Sequence, residues 1–235
     1  MSDIKRNSRF ILGLAVAVVL PLSFYMIAVF MGKDKLNMPH YFVADKVDTH
    51  LVKGQLKEDT VFHKAADLQG INQFGDHVSL NKDLPGKILL VNFFFTTCPS
   101  ICPRLTRNIK KIQKAYRPTP MKDNKDLIQF ISITVNPERD SAKVLFEYAK
   151  KYEVDMNYWW FITGDKQTLF NYAKQELHLF GGDGNGGIED FDHTQQLVLL
   201  DADRNIRGYY DGLNEDDIRK CADDIGKLTM EKKHR

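Results

Sequence analysis

Two cysteines stand four residues apart between prolines, in Cys98-Pro99-Ser100-Ile101-Cys102-Pro103. Paired thiols at this spacing support two chemistries. As a redox pair, one thiolate attacks and the other resolves a disulfide. As soft ligands, both hold a thiophilic metal. The competing reading, two inert core cysteines, suits this stretch poorly, because cysteines flanked by prolines at a strand end are bad core filler. The third cysteine, Cys221, lies at helical spacing with Ile218, Ala222, Ile225 and Leu228, and reads as a core residue.

The pair needs a platform, and the flanking residues predict one. Ile88 to Phe95 is a continuous apolar run, short for a helix and rich in β-preferring residues, so it reads as a strand buried on both faces. After the motif, Leu105, Ile109, Ile112 and Tyr116 recur on one helical face, with Pro103 suited to the first helical position. The cysteines therefore belong at the carboxyl end of a central strand and at a helix N-terminus. There the amide groups and the helix dipole favour thiolate, and open α/β sheets place their chemistry at such ends.

The remaining elements follow in order. Ile71–Val78 predicts a hairpin turning at Phe74–Asp76, and Leu84-Pro85-Gly86-Lys87 a turn into the central strand. Leu127–Val135 and Trp159–Ile162 read as two further strands. A helix capped by Asp140 or Ser141 lies between them, and one through Leu169, Tyr172 and Ala173 follows. Gly181–Gly187 is a loop. Gln196–Asp201 and Ile206–Tyr210 form a second hairpin before the last helix. Parallel strands joined by helices, with an antiparallel edge, describe an α/β thioredoxin-like sandwich, a central mixed sheet flanked by helices.

The chain has 235 residues and formal net charge +2, which makes no case for nucleic acid. Three cysteines are too few for a disulfide scaffold. Residues 1–9 are polar and basic. Phe10–Met31 carries no charge and is long enough to span a bilayer, which takes about 20 residues. It exceeds the roughly 7–15-residue core of a signal peptide, so it reads as an uncleaved anchor and one N-terminal transmembrane helix; a long signal peptide is the competing reading. Lysines and arginines flank both ends and leave the orientation open. Residues 32–60 read as a tether, and 61–235 as the globular domain.

A metal site needs more than two ligands. The histidines are His40, His50, His63, His77, His178, His193 and His234. Most sit in the tether, the tail or after helices and read as ordinary polar residues. His193 differs: Asp192-His193-Thr194 lies between the glycine-rich loop and a strand, where a loop can carry the imidazole towards the cysteines, with Asp192 as its orienting partner. Two thiolates and an imidazole suit Cu(I), and Cu(II) with a weak further ligand. Zinc with water as fourth ligand is the alternative, although no general base stands beside it.

At these residues the chain resembles the Sco/SenC family of copper-binding proteins for cytochrome oxidase assembly. The likeness runs from about Val61 to Leu213, plus the anchor. It rests on Cys98-Pro99-Ser100-Ile101-Cys102-Pro103, on Asn136-Pro137-Glu138-Arg139-Asp140-Ser141, and on Asp192-His193-Thr194 followed by Leu199-Leu200-Asp201. Gln73, Gly75 and Pro85-Gly86-Lys87 also fit. The resemblance implies a domain outside the cytoplasmic membrane, with one copper held by Cys98, Cys102 and His193. It implies partners too: a copper donor, and subunit II of cytochrome c oxidase, whose binuclear site the protein would load with copper, reduce at its cysteines, or both. The short N-terminus with Asp3 is a poor transit peptide, which points to a bacterial inner membrane and a periplasmic domain. The chain departs from the family where many members carry Asp at the positions of Ser100 and Asn136, and in its Gly181–Gly187 insert. Losing a carboxylate beside thiolates changes their pKa or the charge of the site.

The main alternative is an extracytoplasmic thiol–disulfide reductase using Cys98 and Cys102. A peroxidase-like thiol enzyme is a third, without further residues in support. Thioredoxin-like oxidoreductases carry a cis-proline facing the pair just before the antiparallel strand. The last proline here is Pro137, and His193 occupies that neighbourhood in sequence. This favours metal binding over general disulfide exchange.

Overall fold

A computed structural model describes residues 16–26, 38–52, 55–116, 127–179 and 195–233. Residues 16–26 form a helix, α1. Among the described residues, no helix is long and apolar enough to cross a membrane. The rest of Phe10–Met31 lies outside them.

The compact unit that carries the cysteines spans Pro39–Arg235. It begins inside the stretch expected as a tether, where β1 (Ala44–Val52) and β2 (Gln55–Phe62) pair antiparallel. Charged residues such as Lys46, Asp48, Glu58 and Asp59 hide these strands from apolar periodicity. Backbone bonds tie the segment to the domain, from Phe42 N–H to the Ile206 carbonyl and from Ala65 N–H to the Arg204 carbonyl.

The main sheet has seven strands: β3 (Gln69–Asn72), β4 (His77–Ser79), β5 (Ile88–Phe94), β6 (Ile128–Thr134), β7 (Trp159–Thr163), β8 (Gln196–Leu200) and β9 (Ile206–Asp211). Their order is β4-β3-β7-β6-β5-β8-β9. β5, β6 and β7 run parallel, while β3, β8 and β9 add antiparallel edges. This is the thioredoxin-like sandwich that the element order predicts. All residues of β5 and of β6 are buried, as expected for strands covered on both faces.

Alternation along β5 divides the core. Leu89, Val91 and Phe93 face the layer containing α2 (Leu80–Asp83), α5 (Lys166–Asn171) and a π-helical turn at Tyr172–Glu176. Ile88, Leu90 and Phe94 face α3 (Ile101–Ala115), α4 (Ala142–Lys151) and α6 (Glu215–Lys233). Each buried Leu, Ile or Phe contributes roughly 1.5–3 kcal/mol of transfer free energy. One polar relay crosses the sheet: Trp159 Nε1–H donates to Ser132 Oγ (2.8 Å), whose hydroxyl donates to Asn92 Oδ1 (2.6 Å). Gln73 links the first hairpin to β7 by donating to the Trp159 carbonyl and accepting from Phe161 N–H. Gly75 sits at the hairpin turn with φ +89°, a conformation open to glycine.

Candidate functional site

β5 ends at Phe94, and the chain turns through Thr96, Thr97 and Cys98 before α3 starts at Ile101. The helix begins two residues earlier than the proline suggests, so Pro103 lies third in the first turn, where an absent N–H still costs no helical bond. Ser100 occupies the cap position, yet its side chain makes no capping bond. The Cys98 sulfur takes that role, accepting from Cys102 N–H at 3.4 Å. Both cysteines are free thiols, Cys98 partly exposed and Cys102 buried.

The two thiols differ in acidity. Burial pushes Cys98 up, but the N–H groups of Cys102, Ser100 and Ile101 and the Cys102 thiol outweigh it, and Cys98 rests below its ordinary value. Cys102 is pushed up to about 12, first by burial and then by the neighbouring Cys98 sulfur. One partly exposed sulfur favours thiolate while its buried neighbour holds its proton. Such a pair can attack and then resolve a disulfide, or give two thiolates to an ion that displaces the remaining proton.

Asp140 fastens the cysteine turn from below. Sequence suggests Asp140 or Ser141 as the cap of α4; Ser141 does precede the helix, without a side-chain bond, and Asp140 turns inward. It is fully buried and accepts from Thr96 N–H (3.1 Å), from the Thr96 hydroxyl and from the Thr134 hydroxyl (2.5 Å). The ends of β5 and β6 are thereby tied together two residues before Cys98. Val135 N–H donates to the Phe94 carbonyl, and Thr134 Oγ1 accepts from Asn136 N–H, so the Asn136–Ser141 segment lies alongside the turn. Sequence reasoning missed this tie. The available signal was a pair of threonines at the ends of adjacent apolar strands. Tyr148 lines the same face, its hydroxyl bonded to that of Thr106 (2.9 Å).

His193, Asp192 and Gly181–Gly187 lie outside the described residues, so of the expected ligands the structure brings together Cys98 and Cys102. The described chain resumes at Gln195. Leu197 pairs with Asn92 and Leu200 with Leu89, so β8 enters the sheet at the cysteine-bearing end of β5. Gln195 is held there, its carbonyl accepting from Gly212 N–H (2.9 Å). A Cβ on Gly212 would lie 2.0 Å from Leu105 Cδ1, so the missing side chain lets α3 pack against this corner. Cys221 is wholly buried on α6, and burial pushes its thiol up; it plays the core role expected of it.

Comparison with known proteins agrees with this arrangement. A profile of the SCO1/SenC family matches residues 57–230. The SCO1 protein homolog of Bacillus subtilis is 34% identical over 169 residues, covering 70% of this chain and 84% of the relative. Among solved structures, BsSco superposes with a TM-score of 0.59 at 24% identity, covering 73% of this chain and 96% of that one. That protein is a member of the Sco family of cytochrome c oxidase assembly proteins, with an identified disulfide switch. ScoI of Bradyrhizobium japonicum, solved with copper bound, gives a TM-score of 0.53 at 23% identity, with coverages of 70% and 99%. The structural likenesses establish the shared fold, and the sequence matches establish descent: this chain belongs to the SCO1/SenC family.

Proposed function

We propose that this protein is a membrane-anchored copper chaperone that delivers copper to the binuclear site of cytochrome c oxidase subunit II, reduces the cysteines of that site, or does both. The observation that carries the reading is the unequal thiol pair at the mouth of α3, in a chain of this family. Cys98 and Cys102 are the thiolate ligands and His193 the third, with Asp192 orienting its ring. Two residues span at most about 7 Å, and Gln195 is anchored at the cysteine-bearing end of the sheet, which supports His193 as a ligand. Copper is the cargo. The soft sulfurs suit Cu(I), and the imidazole adds the donor that Cu(II) requires. A disulfide between Cys98 and Cys102 consumes two of the three donors, so the protein binds copper in its dithiol form.

The second reading, thiol–disulfide reductase, draws on the same difference in acidity, since an exposed low-pKa sulfur beside a buried thiol suits exchange. A paired assay on wild type and His193→Ala separates the two: copper titration followed by thiolate-to-copper absorption, and exchange rates in metal-free buffer. Loss of an orienting partner alone costs about 10–100-fold in metal affinity. The chaperone reading therefore expects a Cu(II) defect of at least about that size, with exchange within a few-fold of wild type. Intact Cu(II) spectra with collapsed exchange would remove the copper assignment and make His193 an exchange residue.

A further inference from the structure

The outer face of α3 is a stripe of cations. The chain as a whole is nearly balanced, with 33 Lys and Arg against 31 Asp and Glu. The helix after the cysteines is not: Ile101–Ala115 contains Arg104, Arg107, Lys110, Lys111 and Lys114 and no acidic residue. Arg104, Arg107, Lys111 and Lys114 are exposed and follow one another at steps of three, four and three. They therefore share one face over about 15 Å of helix. Among the described residues, the ion pairing of α3 is confined to Lys110, which donates to the Tyr152 carbonyl and meets Glu153 at 3.3 Å.

Helix stability does not account for this arrangement. A solvated helical face gains from opposite charges one turn apart, whereas Arg107 with Lys111 and Lys110 with Lys114 repel each other at that spacing. Arg104 stands fourth in the helix, near the end where the dipole disfavours a cation. A patch of one sign instead builds a field that attracts the opposite sign.

The stripe starts beside the thiols, since Arg104 follows Cys102 by two residues. Around Cys98 the surface is uncharged: Thr97, Pro99 and Ser100 are exposed, and Ile101 and Pro103 are half-buried. An uncharged patch bordered by charge is the anatomy of a protein interface, whose centre is depleted in charge and whose rim steers the approach. Transfer through the Cys98 sulfur also requires the recipient's own ligands to come within bonding distance of this turn. A lipid surface offers the cations their counter-charge but brings no such ligand.

We propose that the α3 stripe and the uncharged Cys98 turn together form the docking surface for an acidic protein face that borders the recipient's copper site. The inference rests on the chaperone reading for the identity of that recipient, the copper-site domain of oxidase subunit II. It rests on the charge and exposure of α3 for the chemistry of the contact. The stripe steers the acidic face onto α3, and the turn at the end of the stripe then meets the recipient's ligands.

The test uses the full chain in detergent, reduced and metal-free, with the soluble copper-site domain of subunit II from its own organism's oxidase as the probe. Association is followed by surface plasmon resonance. The wild-type on-rate should fall steeply as ionic strength rises to about 0.15 M, where the Debye length is about 8 Å. Arg107→Gln, Lys111→Gln and Lys114→Gln together should lower the low-salt on-rate at least about tenfold and flatten its salt dependence. These positions are exposed and Gln is a good helix former, so the fold should survive by circular dichroism. Copper titration of the isolated variant should stay within a few-fold of wild type. Lys64→Gln, Lys82→Gln and Lys166→Gln together make the same charge change away from α3 and should leave the on-rate near wild type. Lys111→Arg with Lys114→Arg should do the same. Absent binding by the wild type, binding indifferent to the α3 triple variant, or an equal loss in the control triple would each overturn the proposal. So would acetylation of Lys111 and Lys114 that is blocked in phosphatidylglycerol nanodiscs and not in phosphatidylcholine ones, because the stripe would then face the membrane. Docking is read without copper, so a failure to bind copper, which would sink the chaperone reading, leaves this result untouched.

Discussion

Cys98 and Cys102 belong to one motif, yet the fold gives them opposite acid–base character. Cys98 lies where the α3 amide groups converge, and Cys102 lies in the core beneath. Thiolate is the form that alkylates, so a depressed pKa lets Cys98 react at a lower pH than an ordinary thiol. We expect iodoacetamide at neutral pH to label Cys98 first in the reduced protein, with a rate that half-saturates below the usual thiol value of about 8.5. Cys102, pushed up to about 12, and the buried Cys221 should remain unlabelled until the chain unfolds. Peptide mapping by mass spectrometry across a pH series measures this. Equal labelling of Cys98 and Cys102 at neutral pH would refute the asymmetry.

Between elements, the decisive contact is Asp140, which holds the carboxyl ends of β5 and β6 in register beneath the cysteine turn. Asp140→Ala removes the acceptor from three donors in a fully buried place. An unsatisfied buried donor costs about 1–3 kcal/mol, and hydroxyls can rotate towards other partners, so a loss of about 3 kcal/mol is expected. The turn should also loosen, and the alkylation preference for Cys98 should shrink. Urea unfolding of the variant, with labelling of its folded form, checks both. A loss below about 1 kcal/mol with the preference intact would show that the turn is held by its backbone alone. This tie was illegible in the sequence because its partners are 44 residues apart. An aspartate ahead of a helix reads locally as a cap, and only the parallel pairing of β5 with β6 reveals another use.

For the whole molecule the question is attachment. The helix at residues 16–26 exposes Val19, Leu20, Leu22, Phe24 and Tyr25, an apolar surface on every side. A helix that is hydrophobic all round needs a nonpolar surrounding. Together with the uncharged run Phe10–Met31, this is consistent with a retained anchor; we propose, from the family resemblance, that it sits in a bacterial inner membrane with the domain in the periplasm. Mass spectrometry of the mature protein should find the run still attached, and protease added to spheroplasts should digest the domain. A mature chain starting beyond Gly32, or a domain protected from protease, would sink this topology.

Local pattern determined much of this protein. The apolar runs of β5 and β6, the helical face of α3, the turn at Phe74–Asp76 and the core position of Cys221 are written in contiguous residues, because burial on one face repeats at the period of the backbone. The cysteine spacing likewise declared thiol chemistry before any coordinates. Tertiary structure alone decided what depends on distant partners in three dimensions. It made Cys102 the buried thiol, and it turned Asp140 inward to the two threonines. It paired the charged strands β1 and β2, which carry no apolar rhythm, and brought His63 against Asp45, Glu176 and His178 from three separate stretches of chain. Desolvation, charge and ligand geometry are properties of a neighbourhood, and a neighbourhood exists once the chain has closed on itself.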